Sequence, residues 1–378
     1  MWWSDGTFMR TKGDVEMSLK RVACFVLLMC MVMTLGASAA FAEKTFNWRL
    51  ASVWSEGAPN LESERLFAKM VDSMSSGRLK IKVFPEGQLG PANQVLDLVS
   101  RGAIEAGGEW ASFWAGKNTA FDLLGTQVMG FSPMDYYIWI YAFGGKKFYD
   151  DLFAQVNCVY FPHHAHDLES GFRSNKEIKT LEDFKGMKIR IGGLIQGKLL
   201  QALGAQPVAM SGSEVYEALQ RGVIDACEFS TPEMDLAAKL NEVTKYWLTP
   251  GFHQTSTING IIINKKNWEE LPDDLKAVVE NASKACYVSR FASSTLNSAR
   301  ATNEILAMGV KINRLSNDDL LVIEREKNKL METLAAENPE YAAVLKSQIE
   351  FDKTITPYRN QLEPWGFGKA WGSYPELK

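Results

Sequence analysis

Two short stretches of this sequence repeat one plan. In RGAIEAGGEW (101–110) and RGVIDACEF (221–229), a helix end gives way to Arg-Gly, then an apolar strand carrying one acid, then a carboxylate followed by an aromatic ring. The pairs are Glu109-Trp110 and Glu228-Phe229, and the second runs into Ser230-Thr231-Pro232, a helix start. A carboxylate in such a place can hold a cation, accept from a ligand's donor or, beside a second acid, do acid–base work. Ligands in open α/β sheets bind where strands end at their carboxyl termini. The repeat therefore predicts that both pairs face one crevice, each from its own lobe.

The elements needed to hold them there are legible. TFNWRLASVW alternates as a strand, and Leu61, Leu66, Phe67, Met70, Val71 and Met74 follow with helical spacing. GRLKIKVFP is a period-two strand, GPANQVLDLVSRG a helix with Pro near its start and Gly at its end, and AIEAGGEW a buried strand. A second series begins with NCVYFP and continues through MKIRIGG, a helix from Leu194 to Leu203, AQPVAM, a capped helix in SEVYEALQRG, and VIDACEF. TINGIIINKKNWEEL reads as a strand returning to the first lobe, and the chain beyond Pro272 is mostly helical. Strands alternating with helices predict an α/β fold with mostly parallel sheets, in two lobes with an inter-lobe cleft and long C-terminal helices. The expected divisions are lobe I at 43–165, lobe II at 166–256, a return to lobe I at 257–285, and C-terminal helices at 286–378.

Composition excludes several roles. The chain has 378 residues, 46% hydrophobic and 23% charged, with a net charge of −4, so nothing draws it to nucleic acid. Near the start, Lys20-Arg21, the apolar run Val22–Leu35 and the small-x-small end Ala40-Phe41-Ala42 predict a secretory signal peptide over 1–42, with translation starting at Met17. The apolar run is short of the roughly 20 residues that a spanning helix needs, so the expected location is the periplasm. Cys158, Cys227 and Cys286 lie scattered in apolar sequence, with no zinc or disulfide spacing, and read as buried thiols.

From TLEDFKGMKIRIGG through SGSEVYEALQRGVIDACEFSTPEMDL, and again in GRLKIKVFPEGQLGPANQVLDLVSRGAIEAG, the sequence resembles the DctP-type solute-binding proteins of tripartite ATP-independent periplasmic (TRAP) transporters. YWLTPGFH is similar to the branch that binds small 2-oxo or 2-hydroxy carboxylates with a metal cation. The resemblance implies a carrier that captures an organic acid and hands it to a TRAP membrane permease, and C-terminal helices tied to homodimer formation. It implies that Arg190, at the end of KIRI, clamps the substrate carboxylate; a guanidinium fork matches a carboxylate and stays charged in a closed cleft. It implies that Glu228 and Phe229 hold the cation. Phe229 stands where that branch has Trp, which leaves a backbone carbonyl in place and changes the ring. Glu169, in HDLESGFRSNKEI, stands where the branch has Gln. Two carboxylates favour Ca2+ over Na+; the other reading is a pocket without metal, in which Glu169 meets a ligand amine or Arg173.

Further pocket candidates are Trp54, Trp110 and Phe113, since aromatic walls suit a dehydrated small-ligand site, and His253 as a donor to the ligand. FPHHAHD (His163, His164, His166, Asp167) has zinc-ligand chemistry, though a solvated or pocket-lining loop is the plainer expectation. No Gly-x-Ser-x-Gly elbow or His-Glu-x-x-His motif supports an exported hydrolase. A sensor subunit on the same fold is the remaining alternative.

Overall fold

The computed structural model describes residues 44–362. The signal segment and the Pro- and Trp-containing tail beyond residue 362, which carries part of the dimer expectation, lie outside them.

The strands are β1 (Phe46–Ser52), β2 (Leu79–Phe84), β3 (Ala106–Trp110), β4 (Cys158–His166), β5 (Phe172–Ser174), β6 (Lys188–Arg190), β7 (Gln206–Val208), β8 (Ala226–Cys227), β9 (Tyr246–Leu248), β10 (Thr257–Asn264) and β11 (Lys311–Asn313). They form two sheets, ordered β2-β1-β3-β10-β4 and β11-β9-β5-β8-β6-β7. The fold is α/β, but its sheets are mixed where mostly parallel ones were expected. β10 runs antiparallel to both β3 and β4, and β5 antiparallel to both β8 and β9. The reason is connectivity: β5 and β10 are the first strands the chain lays down after changing sheet, so they do not arrive through the helical crossover that makes neighbours parallel.

Burial follows the sequence pattern. In the Pro59–Met74 helix, Leu61, Phe67, Ala68 and Val71 form the buried stripe, with proline at the first helical position. β10 is buried along its whole length. One apolar cluster, with Phe121, Trp139, Tyr160 and Ile262, packs on the first sheet; another, with Phe172, Phe184, Ile189 and Leu199, packs on the second. Each such fully buried side chain contributes roughly 1.5–3 kcal/mol. The 35-residue helix Asp273–Ala307 packs against β4 and against the Pro232–Ala237 helix, and so braces both sheets.

Between β4 and β5 the chain changes sheet through 167–171, and between β9 and β10 it returns through 249–256. These crossings lie against each other. Gly251 donates to the Glu169 carbonyl at 3.1 Å, and a Cβ at 251 would stand 2.5 Å from that oxygen. Gly171 has φ +102°, and a Cβ there would stand 2.1 Å from the Leu248 carbonyl. Only glycine fits either place.

Candidate functional site

Adjacent parallel strands end side by side in the second sheet. β6 finishes at Arg190, opposite Cys227 of β8, and Glu228 follows with its backbone N–H donating to the Arg190 carbonyl at 3.1 Å. Both side chains therefore leave at the carboxyl ends of their strands. Arg190 Nη1 donates to Glu228 Oε1 at 2.8 Å and to the Glu228 carbonyl at 3.1 Å, and the Gly192 N–H also donates to Oε1. Both residues are buried. The Phe229 ring lies 5.8 Å from the guanidinium and packs on Gly212.

The two crossings bring the rest. Glu169 Oε1 accepts from Gln254 Nε2 at 2.8 Å and from Thr257 Oγ1 at 2.9 Å, while Oε2 lies 3.0 Å from His253 Nε2. That same imidazole nitrogen is 3.9 Å from Glu228 Oε2. One donor atom from each of Glu169, Glu228 and His253 lies within 4.8 Å of the other two, and all three residues are buried. Among the described residues, His253 Nδ1 has no hydrogen-bond partner.

Burial sets the charge state. It pushes the Glu169 carboxyl up to about 8, against the Thr257 hydrogen bond, with Asp235 adding to the rise. It raises Glu228 as well, opposed chiefly by the Arg190 charge and reinforced by Glu169. It drives His253 down to about 4, so the imidazole is neutral at pH 7. The cluster at rest is then a proton-bearing Glu169, a neutral ring, and one ion pair between Arg190 and Glu228. The two carboxylates, within 4.8 Å of each other, supply the oxygen ligands that a hard cation such as calcium takes, and the imidazole nitrogen is not one of them.

The other expected site residues fall in different places. Trp54, Phe113 and Trp110 form one aromatic group, with Phe113 centred 5.9 Å from Trp54 and 5.0 Å from Trp110. Trp110 Nε1 is spent on the Gly125 carbonyl, while Phe113 is 41% exposed. Arg173 does not join the cluster. Its Nε donates to Asp235 at 2.6 Å and its guanidinium stacks on Trp247 at 3.9 Å, as a fully buried pair. Glu109 departs from expectation. It is wholly buried, hydrogen-bonded to the Trp114 indole, and pushed up to about 8 by burial. Period two explains this, because Glu109 faces away from the side on which Gly108 meets the Glu64 carboxyl. The histidines of FPHHAHD also differ: they are the end of β4, fully buried, not a loop. Among the described residues they join no group of metal-holding side chains. Gln254 and Thr257 carry no sequence signal that marks them as site residues; they matter because the crossings place them on Glu169.

The pattern of the family described as bacterial extracellular solute-binding protein, family 7 (DctP), matches residues 50–338. This chain belongs to that family. Like its relatives, this DctP-family protein is a solute-binding protein, not an enzyme. A monocarboxylate 2-oxoacid-binding periplasmic protein of Nostoc is 28% identical over 85% of this chain and 89% of its own length. A TRAP periplasmic solute-binding protein of Colwellia psychrerythraea, solved with calcium and pyruvate, superposes with TM-score 0.81 at 29% identity over 84% of this chain and 97% of that one. The protein from Pseudoalteromonas atlantica, solved with sodium and pyruvate, gives 0.80 at 28% over the same shares. A TRAP transporter solute-binding protein of Bordetella bronchiseptica, a dimer with calcium and picolinate, gives 0.81 at 27% over 85% and 95%. No helix among the described residues of this DctP protein is long and apolar enough to cross a membrane.

The buried groups fix a pH dependence of the ligand-free DctP protein. Glu64, Glu109 and Glu169 are raised from 4.5 to about 8, and Asp122 from 3.8 to about 7. The unfolded chain ionises them first, so their contribution to stability falls as pH rises through that window. His163 and His166 are lowered from 6.5 to about 3 and His253 to about 4, so their contribution falls as pH drops below 6.5. The two trends oppose each other between pH 4.5 and 6.5, and only the carboxyls act above it. Melting temperature without metal is expected to be flat across that interval and to decline toward pH 8. A continuous rise to pH 8 would show that the buried acids are not held protonated.

Proposed function

We propose that this protein captures a small 2-oxo or 2-hydroxy monocarboxylate together with a cation, Ca2+ or Na+, and delivers it to a TRAP membrane permease. The observation that carries the reading is the buried Arg190–Glu228 pair at two neighbouring strand ends, with Glu169 and His253 completing the cluster. Support comes from the relatives whose names or bound ligands are 2-oxoacids and pyruvate with calcium or sodium.

Arg190 is the carboxylate clamp in this reading. In the ligand-free arrangement its Nη1 is engaged by Glu228. An arriving carboxylate would meet that anion at close range in a poorly screened place, where like charges repel strongly. Glu228, Glu169 and the Phe229 carbonyl are the groups that would hold a cation, which supplies the positive charge needed to offset Glu228 and the ligand together. With a cation there, Glu228 would release Arg190, whose fork could turn to the substrate. Glu169 would bind the cation as a carboxylate, its proton passing to solvent. Trp54, Trp110 and Phe113 exclude water from the ligand's apolar side. Arg173 contributes by bracing β5 against Asp235.

In this reading the lobes are 43–165 with 257–285, and 166–256, and the helices Asn317–Glu337 and Pro339–Gln361 offer a homodimer surface. Residues 1–42 direct export to the periplasm. A thermal-shift screen of organic acids tests the whole reading: pyruvate with calcium is expected to raise the melting temperature by several degrees, by mass action. If no carboxylic acid shifts it under any cation condition, the reading is wrong.

A further inference from the structure

The histidines of β4 are unused by the function above, and one of them sits in an unusual setting. The β10–β4 register sets Thr257 opposite His166 and Asn259 opposite His164, while Trp110 of β3 flanks Asn259 on its other side. Directly opposed residues send their side chains to the same face, with Cβ atoms about 5 Å apart. His166 is satisfied, with Nε2 against Asn60 Oδ1 and Nδ1 3.5 Å from Ser294 Oγ. Its neighbours are not. Among the described residues, both ring nitrogens of His164 and both amide atoms of Asn259 are buried without a hydrogen-bond partner, as are both ring nitrogens of His163. His164 is 0% and Asn259 1% exposed.

Folded proteins seldom leave such groups unpaired, because each one costs about 1–3 kcal/mol. Two adjacent side chains left so point to something that pairs with them. Between them they offer an amide oxygen, an amide NH2, and one donor and one acceptor on the imidazole. Burial drives the His164 ring far below its usual range, so it is uncharged at pH 7. The pair lies two residues along the strands from Thr257, whose hydroxyl binds Glu169. At the rise of an antiparallel strand that is about 7 Å. The aromatic residue beside Asn259 is Trp110, whose ring packs on Phe113 at 5.0 Å.

We propose that His164 and Asn259 form a second polar subsite, which takes a neutral hydrogen-bonding group (a hydroxyl, keto or amide) at the far end of the captured acid. The inference rests on the carboxylate-binding reading above and sharpens its substrate class. The preferred ligand is a 2-oxo acid with a polar tail, not a bare short-chain acid. A second carboxylate is a poor occupant, since neither side chain brings a charge to meet it.

The test is calorimetric titration of the mature chain with calcium, using two acids of matched length: 5-hydroxy-2-oxopentanoate and 2-oxohexanoate, in which a methyl replaces the terminal hydroxyl. Pyruvate serves as reference. The hydroxy acid is expected to bind at least about tenfold tighter than its methyl analogue. Asn259→Leu, checked for folding by thermal melt, is expected to erase or invert that preference. Equal binding of the two acids by the wild-type protein, or a preference that survives Asn259→Leu, overturns the subsite while pyruvate binding still upholds the carrier. If pyruvate and both longer acids all fail to bind, the carboxylate reading falls and the subsite with it.

Discussion

Arg190→Met is expected to abolish ligand-induced stabilisation, with pyruvate affinity in calcium down by about 100-fold or more. The clamp is a charge-assisted fork in a buried place, and Arg173 is held away from it by its Nε bond to Asp235 and its stacking on Trp247. The same change leaves Glu228 buried without its cation, and breaking such a pair by removing one partner costs about 3–5 kcal/mol. The variant should therefore melt lower even without ligand. Arg190→Gln/Glu228→Gln separates the two effects, since it removes both charges and is expected to recover much of the stability with none of the binding. Arg190→Lys keeps the charge but not the fork, and is expected to fall between wild type and Met. Full ligand-induced stabilisation in Arg190→Met would reassign the clamp.

Glu228→Gln should uncouple binding from metal. With the anion gone, Arg190 has no internal partner at its Nη1 except the Glu228 backbone carbonyl. Pyruvate then faces an unopposed positive charge. In calorimetric titrations, wild-type protein in chelator is expected to bind pyruvate at least about tenfold more weakly than in calcium, a difference of about 1.4 kcal/mol. Glu228→Gln is expected to bind it equally with and without calcium. If the variant remains calcium-dependent, the cation is held elsewhere. If chelator leaves the wild type unaffected, no cation takes part.

Much of this was legible in the sequence for definite reasons. Glu228 closes an apolar strand that follows Arg221-Gly222, a local signal, whereas Arg190 was picked out through the family resemblance, its own run MKIRIGG marking only a strand end. The Pro59–Met74 helix followed from periodicity, but only Leu61, Phe67 and Val71 of the apolar positions its spacing picked out are buried and Met74 is exposed, because the helix packs on a narrower stripe than its spacing offers. What escaped depended on pairing across distance. Glu109 shares its motif with Glu228, yet one sits in a strand whose next element bends Trp114 back over the carboxyl, and the other follows a two-residue strand that ends in the cleft. The strand character of FPHHAHD was hidden because histidine has little propensity of its own; Cys158–His166 is a strand because β10 lies beside it. Gln254 and Thr257 became visible only when the two crossings were seen to touch. Arg173 and Arg190 look alike in sequence, and only the Asp235 and Trp247 contacts set Arg173 apart from the cluster of Glu169, Glu228 and His253.

The most direct test of the central claim is a crystal structure of the mature protein grown with pyruvate and calcium. The expected result is a pyruvate carboxylate within hydrogen-bond distance of the Arg190 fork, with a cation shared by that ligand, Glu228 and Glu169. Pyruvate bound away from Arg190, or Arg190 still paired to Glu228 with the ligand in place, would contradict it.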